Sequence, residues 1–368
     1  MVLVAKCQLS DLAFRVAASG FSSAKSTSII PPVQSRHSNT NCIRFRIAPG
    51  LNLSKQEISP ETAYDVSRVI SRDPGHGETK RTKTYVSLRR LIAMGLFAGK
   101  KGIVLGIANE RSIAWAITEF LHREGAEMGF THLPDSGDRP KNHNKVAKLV
   151  DPIGSKFLMP MDVCNDEHID AVIAKAVETF GKLDFILHSI AFAPPADLTG
   201  PTWACSRGGF KTAMEISAYS LLAVAGAAKK RDALSSDSSI LTLSYFGGEE
   251  VVPGYNLMGI CKAALECSVR YLASELGPAG TRVNAISAGP LRTVSSSGVG
   301  DFDKMQIVNA SISPLRRNLD AEEVGSMGMV MLSKLSSGMT GEVVHVDCGF
   351  NIMGAPPADF LETAAAAR

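Results

Sequence analysis

The chain lacks several features that would assign it to a simple class of protein. No uninterrupted apolar run reaches 18 residues, so the sequence predicts no transmembrane helix and no insertion into a membrane. Its seven cysteines are scattered and form no Cys-x-x-Cys pair, which favours reduced thiols over a disulfide framework. Its eight histidines form neither a His-Glu-x-x-His motif nor a cluster with cysteine, and we therefore expect no metal ion.

The folded part of the chain also lacks a basic excess. Residues 1–93 carry 14 Lys/Arg and 6 Asp/Glu, whereas the whole chain of 368 residues carries 39 and 36. The remainder therefore holds 25 basic and 30 acidic residues and is mildly acidic. Because the positive charge is confined to the N-terminal segment, it forms no basic domain face, and we expect no nucleic-acid partner.

The N-terminal segment has the composition of a targeting sequence. Residues 1–50 contain eight serines, six basic residues and a single acidic residue, which is typical of an organelle transit peptide. Residues 51–93 are polar and rich in turn formers, as a linker is. We expect a disordered extension over 1–93; if it is not a true leader, the protein is cytoplasmic.

From about residue 98 onwards, short apolar runs alternate with helical periods. This alternation predicts a Rossmann-like α/β fold, with a doubly wound, parallel, seven-stranded sheet and helices on both faces. The expected strands lie at 102–107, 127–131, 156–160, 183–190, 239–245, 281–287 and 342–347. The expected helices lie at 112–125, 165–180, 208–230, 256–276 and 320–335.

The first expected strand runs into a turn that is suited to an anion. Gly106 ends the strand at a tight turn, and Ser112 and Ile113 open a helix whose N-terminal N–H groups would face a phosphate. Ser112 also suits the N-cap position. The segment carries no Gly-x-Gly-x-x-Gly, so an ordinary strand-turn-helix remains an equal alternative.

The ends of the second and third expected strands indicate cofactor binding less specifically. Asp162 and Val163 follow the third strand, where the carboxylate would either accept from an adenine amino group or cap the next helix. After the second strand, "THLPDS" (131–136) offers no early arginine or lysine to a 2′-phosphate. This favours NADH, and makes NADPH the less favoured cofactor.

A tyrosine and a lysine seven residues apart, Tyr255 and Lys262, stand at the start of a long predicted helix. Seven residues turn a helix by about 700°, so both side chains share one face and lie about 10 Å apart along the axis. Position 259, where a four-residue spacing would place the lysine, is Gly259. The alternative is that the tyrosine packs in the core and the lysine is solvated.

Six segments together resemble the bacterial-type enoyl-acyl-carrier-protein reductases, a branch of the short-chain dehydrogenase/reductase superfamily. The resemblance covers residues 94–353 and is most specific in Tyr-x6-Lys with a second tyrosine, Tyr245, ten residues upstream. The segments are "GIANERSIAWAI" (106–117), "HSIAFAP" (188–194), "LTLSYFG" (241–247), "PGYNLMGICKAALE" (253–266), "GTRVNAISAGPLRT" (280–293) and "GEVVHVD" (341–347).

The resemblance implies that NADH reduces the trans-2 double bond of an enoyl thioester carried on acyl carrier protein. By that resemblance the catalytic residues are Tyr245, Tyr255 and Lys262, with the lysine holding the nicotinamide ribose and favouring ionisation of the Tyr255 phenol or strengthening its hydrogen bond. The implied cofactor residues are Gly106, Ser112, Ile113, Leu133, Asp162, Val163, Ile190, Lys262, Leu291, Arg292, Thr293, Val294 and Ser295. The implied substrate residues are Ala193, Tyr245, Tyr255 and Met258.

Two departures from the family pattern bear on the site. Leu133 stands where the family often has glutamine, which would remove one polar contact to the adenosine ribose. Ala191 stands where the family often has glycine, beside the nicotinamide pocket. Residues 294–315 are expected to form a mobile lid over the acyl chain, and their Ser/Gly-rich start, "VSSSGVG", suits a hinge.

The resemblance also sets the expected organisation. It implies a reductase domain at 94–354, a flexible tail at 355–368, and a homotetramer that accepts acyl carrier protein. A plastid is the first choice of compartment and a mitochondrion the second. Two other functions remain open on the same fold: a short-chain 3-oxoacyl reductase or alcohol dehydrogenase, and a catalytically silent dinucleotide-binding protein.

Overall fold

The computed structural model describes residues 95–137, 139–293 and 302–358. The described part of the chain forms a sheet of seven parallel strands in the order β3-β2-β1-β4-β5-β6-β7, which confirms the predicted fold class. The strands are β1 (Lys101–Leu105), β2 (Glu127–His132), β3 (Leu158–Pro160), β4 (Leu183–His188), β5 (Leu234–Ser244), β6 (Arg282–Ala288) and β7 (Val343–Val346).

Helices connect the strands, and the main ones follow the predicted spans. They are α1 (Ile113–Arg123), α2 (Lys141–Val150), α3 (Asp166–Phe180), α4 (Pro195–Leu198), α5 (Arg207–Met214), α6 (Ser220–Lys230), α7 (Asn256–Leu276), α8 (Phe302–Ile312) and α9 (Ala321–Leu332). The helix predicted over 208–230 is divided by a π-helical turn at Glu215–Tyr219. The sequence did not predict α2, α4 or α8, whose apolar periods are short or irregular.

Each face of the sheet has its own core, as the strand patterns require. Successive residues of a strand point to opposite faces, so Ile103 and Leu105 pack with α3, α6 and α7, whereas Val104 packs with α1, α2 and α9. All three side chains are fully buried. Such strands read as continuous apolar runs because helices cover both faces.

The strand order places the functional edge of the sheet. Strand β1 pairs with β2 on one side and with β4 on the other, so the direction of winding reverses between β1 and β4. Ligands of such folds bind beyond the carboxyl ends of the strands at this switch point. Residues that follow β1, β4, β5 and β6 therefore converge at one edge.

Some sequence expectations lie outside the described residues. These are the extension at 1–93, the cofactor residues Val294 and Ser295 with the predicted hinge of the lid, and the last ten residues of the tail. Within the described ranges, no helix combines the length and apolarity that a membrane crossing requires.

Candidate active site

A cavity of about 420 Å³ opens at the carboxyl edge of the sheet. Its walls come from the loops after β1, β4, β5 and β6 and from helices α7 and α8. This volume lies within the range of small-molecule and cofactor sites, which is about 300–1,000 Å³.

The turn after β1 can only be made by glycine. Gly106 has φ +101°, and a Cβ there would lie 2.0 Å from the carbonyl oxygen of Ser189 in the loop after β4. This close approach joins the ends of β1 and β4 where the cavity begins. The prediction that Gly106 makes a tight turn is therefore correct, for both a conformational and a steric reason.

Ser112 stands at the N-cap position of α1 but does not cap that helix as expected. Its hydroxyl oxygen accepts from the N–H groups of Ala108 and Asn109, at 3.0 and 3.1 Å, and so holds the preceding loop. The first N–H groups of α1 therefore have no side-chain cap, and Ile113, the first residue of this helix, lines the cavity. A helix N-terminus in this state favours an anion.

Two tyrosines form the reactive wall of the cavity. Tyr245 directly follows β5, Tyr255 directly precedes α7, and their rings meet edge-on with centroids 4.6 Å apart. Burial raises the pKa of Tyr245 to about 12 and raises the pKa of Tyr255 further above its ordinary value. Both phenols are therefore protonated at neutral pH and can donate hydrogen bonds.

Lys262 is buried, with 6% of its surface exposed, so the alternative of a solvated lysine is wrong. Its Nζ donates to the carbonyl oxygen of Leu243 at 2.6 Å. Burial lowers the pKa of Lys262 to about 8. Burial is the main cause of the raised pKa of Tyr255, and Tyr245, Cys261 and Glu266 raise it further. That Lys262 favours ionisation of this phenol or strengthens its hydrogen bond stays a prediction.

The seven-residue spacing between Tyr255 and Lys262 agrees with the steric limits on position 259. A Cβ on Gly259 would lie 2.6 Å from the carbonyl oxygen of Gly247, in the turn that follows Tyr245. A lysine four residues after Tyr255 would therefore displace that turn. One helical turn further on, Lys262 reaches the cavity without this clash.

Comparison with known proteins identifies the family. The profile described as enoyl-(acyl carrier protein) reductase matches residues 106–351. An enoyl-acyl-carrier-protein reductase (NADH) of Nostoc sp. is 48% identical over 256 residues, which are 70% of this chain and 98% of that relative. The chain belongs to the enoyl-acyl-carrier-protein reductase family.

Solved structures of reductases resemble this one closely. The enoyl-acyl-carrier-protein reductase of Anaplasma phagocytophilum, in complex with NAD, is 44% identical with a TM-score of 0.67, and the match covers 72% of this chain and 98% of that one. The reductase of Bacillus cereus, in complex with NADP⁺ and an indole naphthyridinone, is 45% identical with a TM-score of 0.67, covering 71% and 100%.

Most of the predicted site residues of this reductase line the same cavity. The group includes both tyrosines, the lysine and the turn after β1, together with Ala191, where the family often has glycine. The predicted residues that line the cavity are Gly106, Ser112, Ile113, Ile190, Ala193, Tyr245, Tyr255, Met258, Lys262, Leu291 and Thr293.

Four predicted cofactor residues do not line the cavity. Leu133 is 65% exposed, and Val163 packs in the core under α3. Asp162 accepts from the N–H of Cys164 at 3.0 Å, so its carboxylate orders the loop before α3. Arg292 is exposed and forms an ion pair with Asp303 of α8.

The sequence analysis missed part of the cavity lining. Ser244 ends β5, Phe192 lies in the loop after β4, and Pro195 and Leu198 belong to α4. The rule that parallel strands deliver ligand contacts at their carboxyl ends points to Ser244 and Phe192. Phe302 and Met305 come from α8 and lie within residues 294–315, the segment predicted as a lid, although the sequence analysis did not single out these two side chains.

Proposed function

We propose that the protein reduces the trans-2 double bond of enoyl-acyl-carrier-protein thioesters with NADH, which is the last step of the fatty-acid elongation cycle. The observation that carries this proposal is the meeting of Tyr245, Tyr255 and the buried Lys262 in one cavity at the switch point of the sheet. The name of the Nostoc relative, which specifies NADH, supports the cofactor.

The residues present fit a dinucleotide. The uncapped N-terminus of α1 suits a pyrophosphate, Gly106 leaves room for close approach, and the ammonium of Lys262 suits a ribose hydroxyl. When bound, NADH would supply the hydride that adds to the β-carbon of the thioester, and a proton from water would then complete the reduction at the α-carbon. We assign Leu291, Thr293 and Ile190 to the wall around the cofactor.

Tyr255 donates its phenolic hydrogen bond to the thioester oxygen, where negative charge develops as the hydride arrives. A donor placed in advance where charge develops is worth roughly 3–4 kcal/mol of barrier. Tyr245 packs on Tyr255 and orients the acyl group, which also contacts Ala193 and Met258. Excluding water strengthens each of these electrostatic contacts.

One assay separates this function from its two alternatives. Oxidation of NADH is followed with crotonyl thioester and, separately, with acetoacetyl thioester. We expect turnover of the enoyl substrate alone; turnover of the ketone alone would support a short-chain ketoreductase. Turnover of neither, with NADH still bound, would support a silent binding protein. Gly259 argues against the ketoreductase because a lysine at that position clashes with the turn at Gly247.

The same assay tests the cofactor preference. The first residues after β2 include no arginine or lysine that could hold a 2′-phosphate, so we expect a higher kcat/KM with NADH than with NADPH. A higher kcat/KM with NADPH would contradict this assignment.

We propose a homotetramer built on the exposed apolar side chains of α6, α7 and the π turn. Tyr219 and Leu222 lie on one of the packed helical segments, and Ile260 and Tyr271 lie on the other. Exposed apolar patches of this kind mark interfaces. Light scattering during gel filtration should give the mass of four chains, and Ile260→Asp should reduce it; a monomeric mass for the unaltered protein would contradict the proposal.

We further propose that residues 1–93 direct the protein to a plastid, with 94–354 as the reductase domain and 355–368 as a tail. The Ser-rich, acid-poor composition of residues 1–50 supports this proposal. Mass spectrometry of the mature N-terminus tests it. An intact N-terminus in the purified native protein would contradict a cleaved leader.

A further inference from the structure

A buried carboxylate lies behind the reactive wall of the cavity. Glu266 stands on α7 one helical turn after Lys262, and only 4% of its surface is exposed. Its Oε1 accepts a hydrogen bond from the hydroxyl of Ser244, the last residue of β5. Ser244 lines the cavity and is followed by Tyr245, so the carboxylate fixes the backbone on one side of that tyrosine.

The same carboxylate also lies close to the backbone on the other side of Tyr245. The turn Phe246–Gly248 packs directly on α7, and a Cβ on Gly248 would lie 2.8 Å from Oε1 of Glu266. That Cβ would also lie 3.0 Å from Lys262. Glu266 therefore bonds one end of the segment that carries Tyr245 and leaves no room for a side chain at the other end. It does so from the helix that carries Lys262 and begins beside Tyr255.

Burying a carboxylate costs free energy unless it is hydrogen-bonded or paired. Burial raises the pKa of Glu266, and Glu249 adds to that rise. The hydrogen bond from the Ser244 hydroxyl and the charges of Lys262 and Arg270 oppose it and favour the carboxylate. Residues four apart on a helix are neighbours, so Glu266 in turn favours the charged form of Lys262. An apolar residue would fill the space without linking β5 to the helix.

We propose that Glu266 is a positioning residue for enoyl reduction: through Ser244 and the turn Phe246–Gly248, it holds Tyr245 in register with Tyr255 and Lys262. The proposal rests on the reductase function proposed above. Glu266 does not line the cavity and acts on the substrate only through these neighbours.

The test compares four variants with the unaltered full-length protein: Glu266→Ala, Glu266→Gln, Ser244→Ala and the Ser244→Ala/Glu266→Ala double variant. Steady-state kinetics with crotonyl thioester give kcat and KM, NADH fluorescence gives Kd, and thermal melting gives Tm. Glu275→Gln, which removes an exposed carboxylate from the same helix, is the matched control and should leave every quantity unchanged.

We expect Glu266→Ala to lower kcat tenfold or more while the NADH Kd changes less than twofold. Glu266→Gln keeps the shape and the acceptor oxygen and should recover most of kcat. Because Ser244 acts only through its hydrogen bond to Glu266, the double variant should be no slower than Glu266→Ala. If Glu266→Ala does not fold, Ser244→Ala and Glu266→Gln still decide the matter.

Unchanged kcat in Ser244→Ala and Glu266→Ala would overturn the proposal, as would losses that multiply in the double variant. A Glu266→Gln variant as slow as Glu266→Ala would also overturn it, because that result assigns the effect to charge and not to position. A protein that is inactive before any substitution would overturn the proposed function instead, so the two failures are distinguishable.

Discussion

The two ends of the sheet's functional edge are built differently. At the ends of β4 and β5, Tyr255 and Lys262 are packed against their neighbours, and the turn after Tyr245 is held on α7. At the ends of β2 and β3, Leu133 is exposed, and the carboxylate of Asp162 accepts a hydrogen bond from within its own loop. Bond-making chemistry needs fixed donors in a site closed to water, whereas a nucleoside can be held on an open surface.

The ends of β4 and β5, which we call the closed end, are also where the pKa values of the site depart from their ordinary values. The ends of β2 and β3 are called the open end. Burial raises the pKa of both tyrosines and lowers the pKa of Lys262 to about 8. Strongly shifted pKa values of this kind cluster at functional sites. We therefore expect substitutions of the tyrosines and their supporting turn at the closed end to act on rate, substitution of Lys262 to act on the cofactor, and substitutions at the open end to act only on cofactor affinity.

The largest effect is expected from Tyr255→Phe. The variant keeps the ring packed on Tyr245 but removes the donor to the developing oxyanion, so kcat should fall by roughly 100-fold to 1,000-fold. Stopped-flow and steady-state NADH oxidation measure the rate, and the NADH Kd should stay the same. Tyr271→Phe alters an exposed tyrosine on the same helix and is the control. An unchanged kcat in Tyr255→Phe would remove the proposed mechanism.

Lys262→Ala should act chiefly on the cofactor. Losing one hydrogen bond to a charged group costs about 1.5–3 kcal/mol, which corresponds to a NADH Kd that rises roughly 10-fold to 100-fold. Lys230→Ala, at the exposed end of α6, provides the control.

The pH dependence of NADH binding sharpens this second test. With a pKa of about 8, Lys262 is charged below pH 8 and becomes neutral above it. Affinity for NADH in the unaltered protein should therefore weaken as the pH rises through about 8, and the Lys262→Ala variant should lose that dependence. A Kd that is flat between pH 7 and pH 9 in the unaltered protein would contradict the role of the ammonium.

Gly259→Ala should disturb the closed end by steric pressure alone. The new Cβ would lie 2.6 Å from the Gly247 carbonyl oxygen, and overpacking of this kind costs about 1–3 kcal/mol of stability. We expect a lower Tm and a lower kcat, because the turn beside Tyr245 must move. Gly226→Ala is the matched control, since a Cβ there meets nothing within 4 Å on helix α6. Equal Tm values for the two variants would argue against close packing of this turn.

The contrast also explains what could be predicted from the sequence. Tyr255 and Lys262 sit on one long regular helix, so their spacing alone places them on a common face. Strand positions followed from apolar runs that must be buried on both sides. The fold and the reactive wall could therefore be predicted from local patterns.

Other features depend on contacts between distant segments. The clash that requires Gly259 involves a turn twelve residues earlier, and the link between Glu266 and Ser244 crosses from a helix to a strand. The N-cap prediction for Ser112 failed because the loop before it offered two N–H groups to the same hydroxyl. The segment 294–315 was predicted as a lid, but that Phe302 and Met305 are its side chains at the cavity depends on how α8 packs. A pattern within one segment of the sequence does not show which distant segment it will contact.

The smallest effect is expected at the open end, from Leu133→Gln. Leu133 is 65% exposed at the end of β2, and a glutamine there can offer one neutral hydrogen bond to the adenosine ribose. Such a bond is worth about 0.5–1.5 kcal/mol, so the NADH Kd should fall by roughly tenfold at most, with kcat unchanged. Leu335→Gln, an equally exposed leucine that does not line the cavity, should leave the Kd unaltered. A change in kcat on Leu133→Gln would mean that the two ends are coupled, because a nucleoside contact on an open surface has no direct access to the reacting atoms.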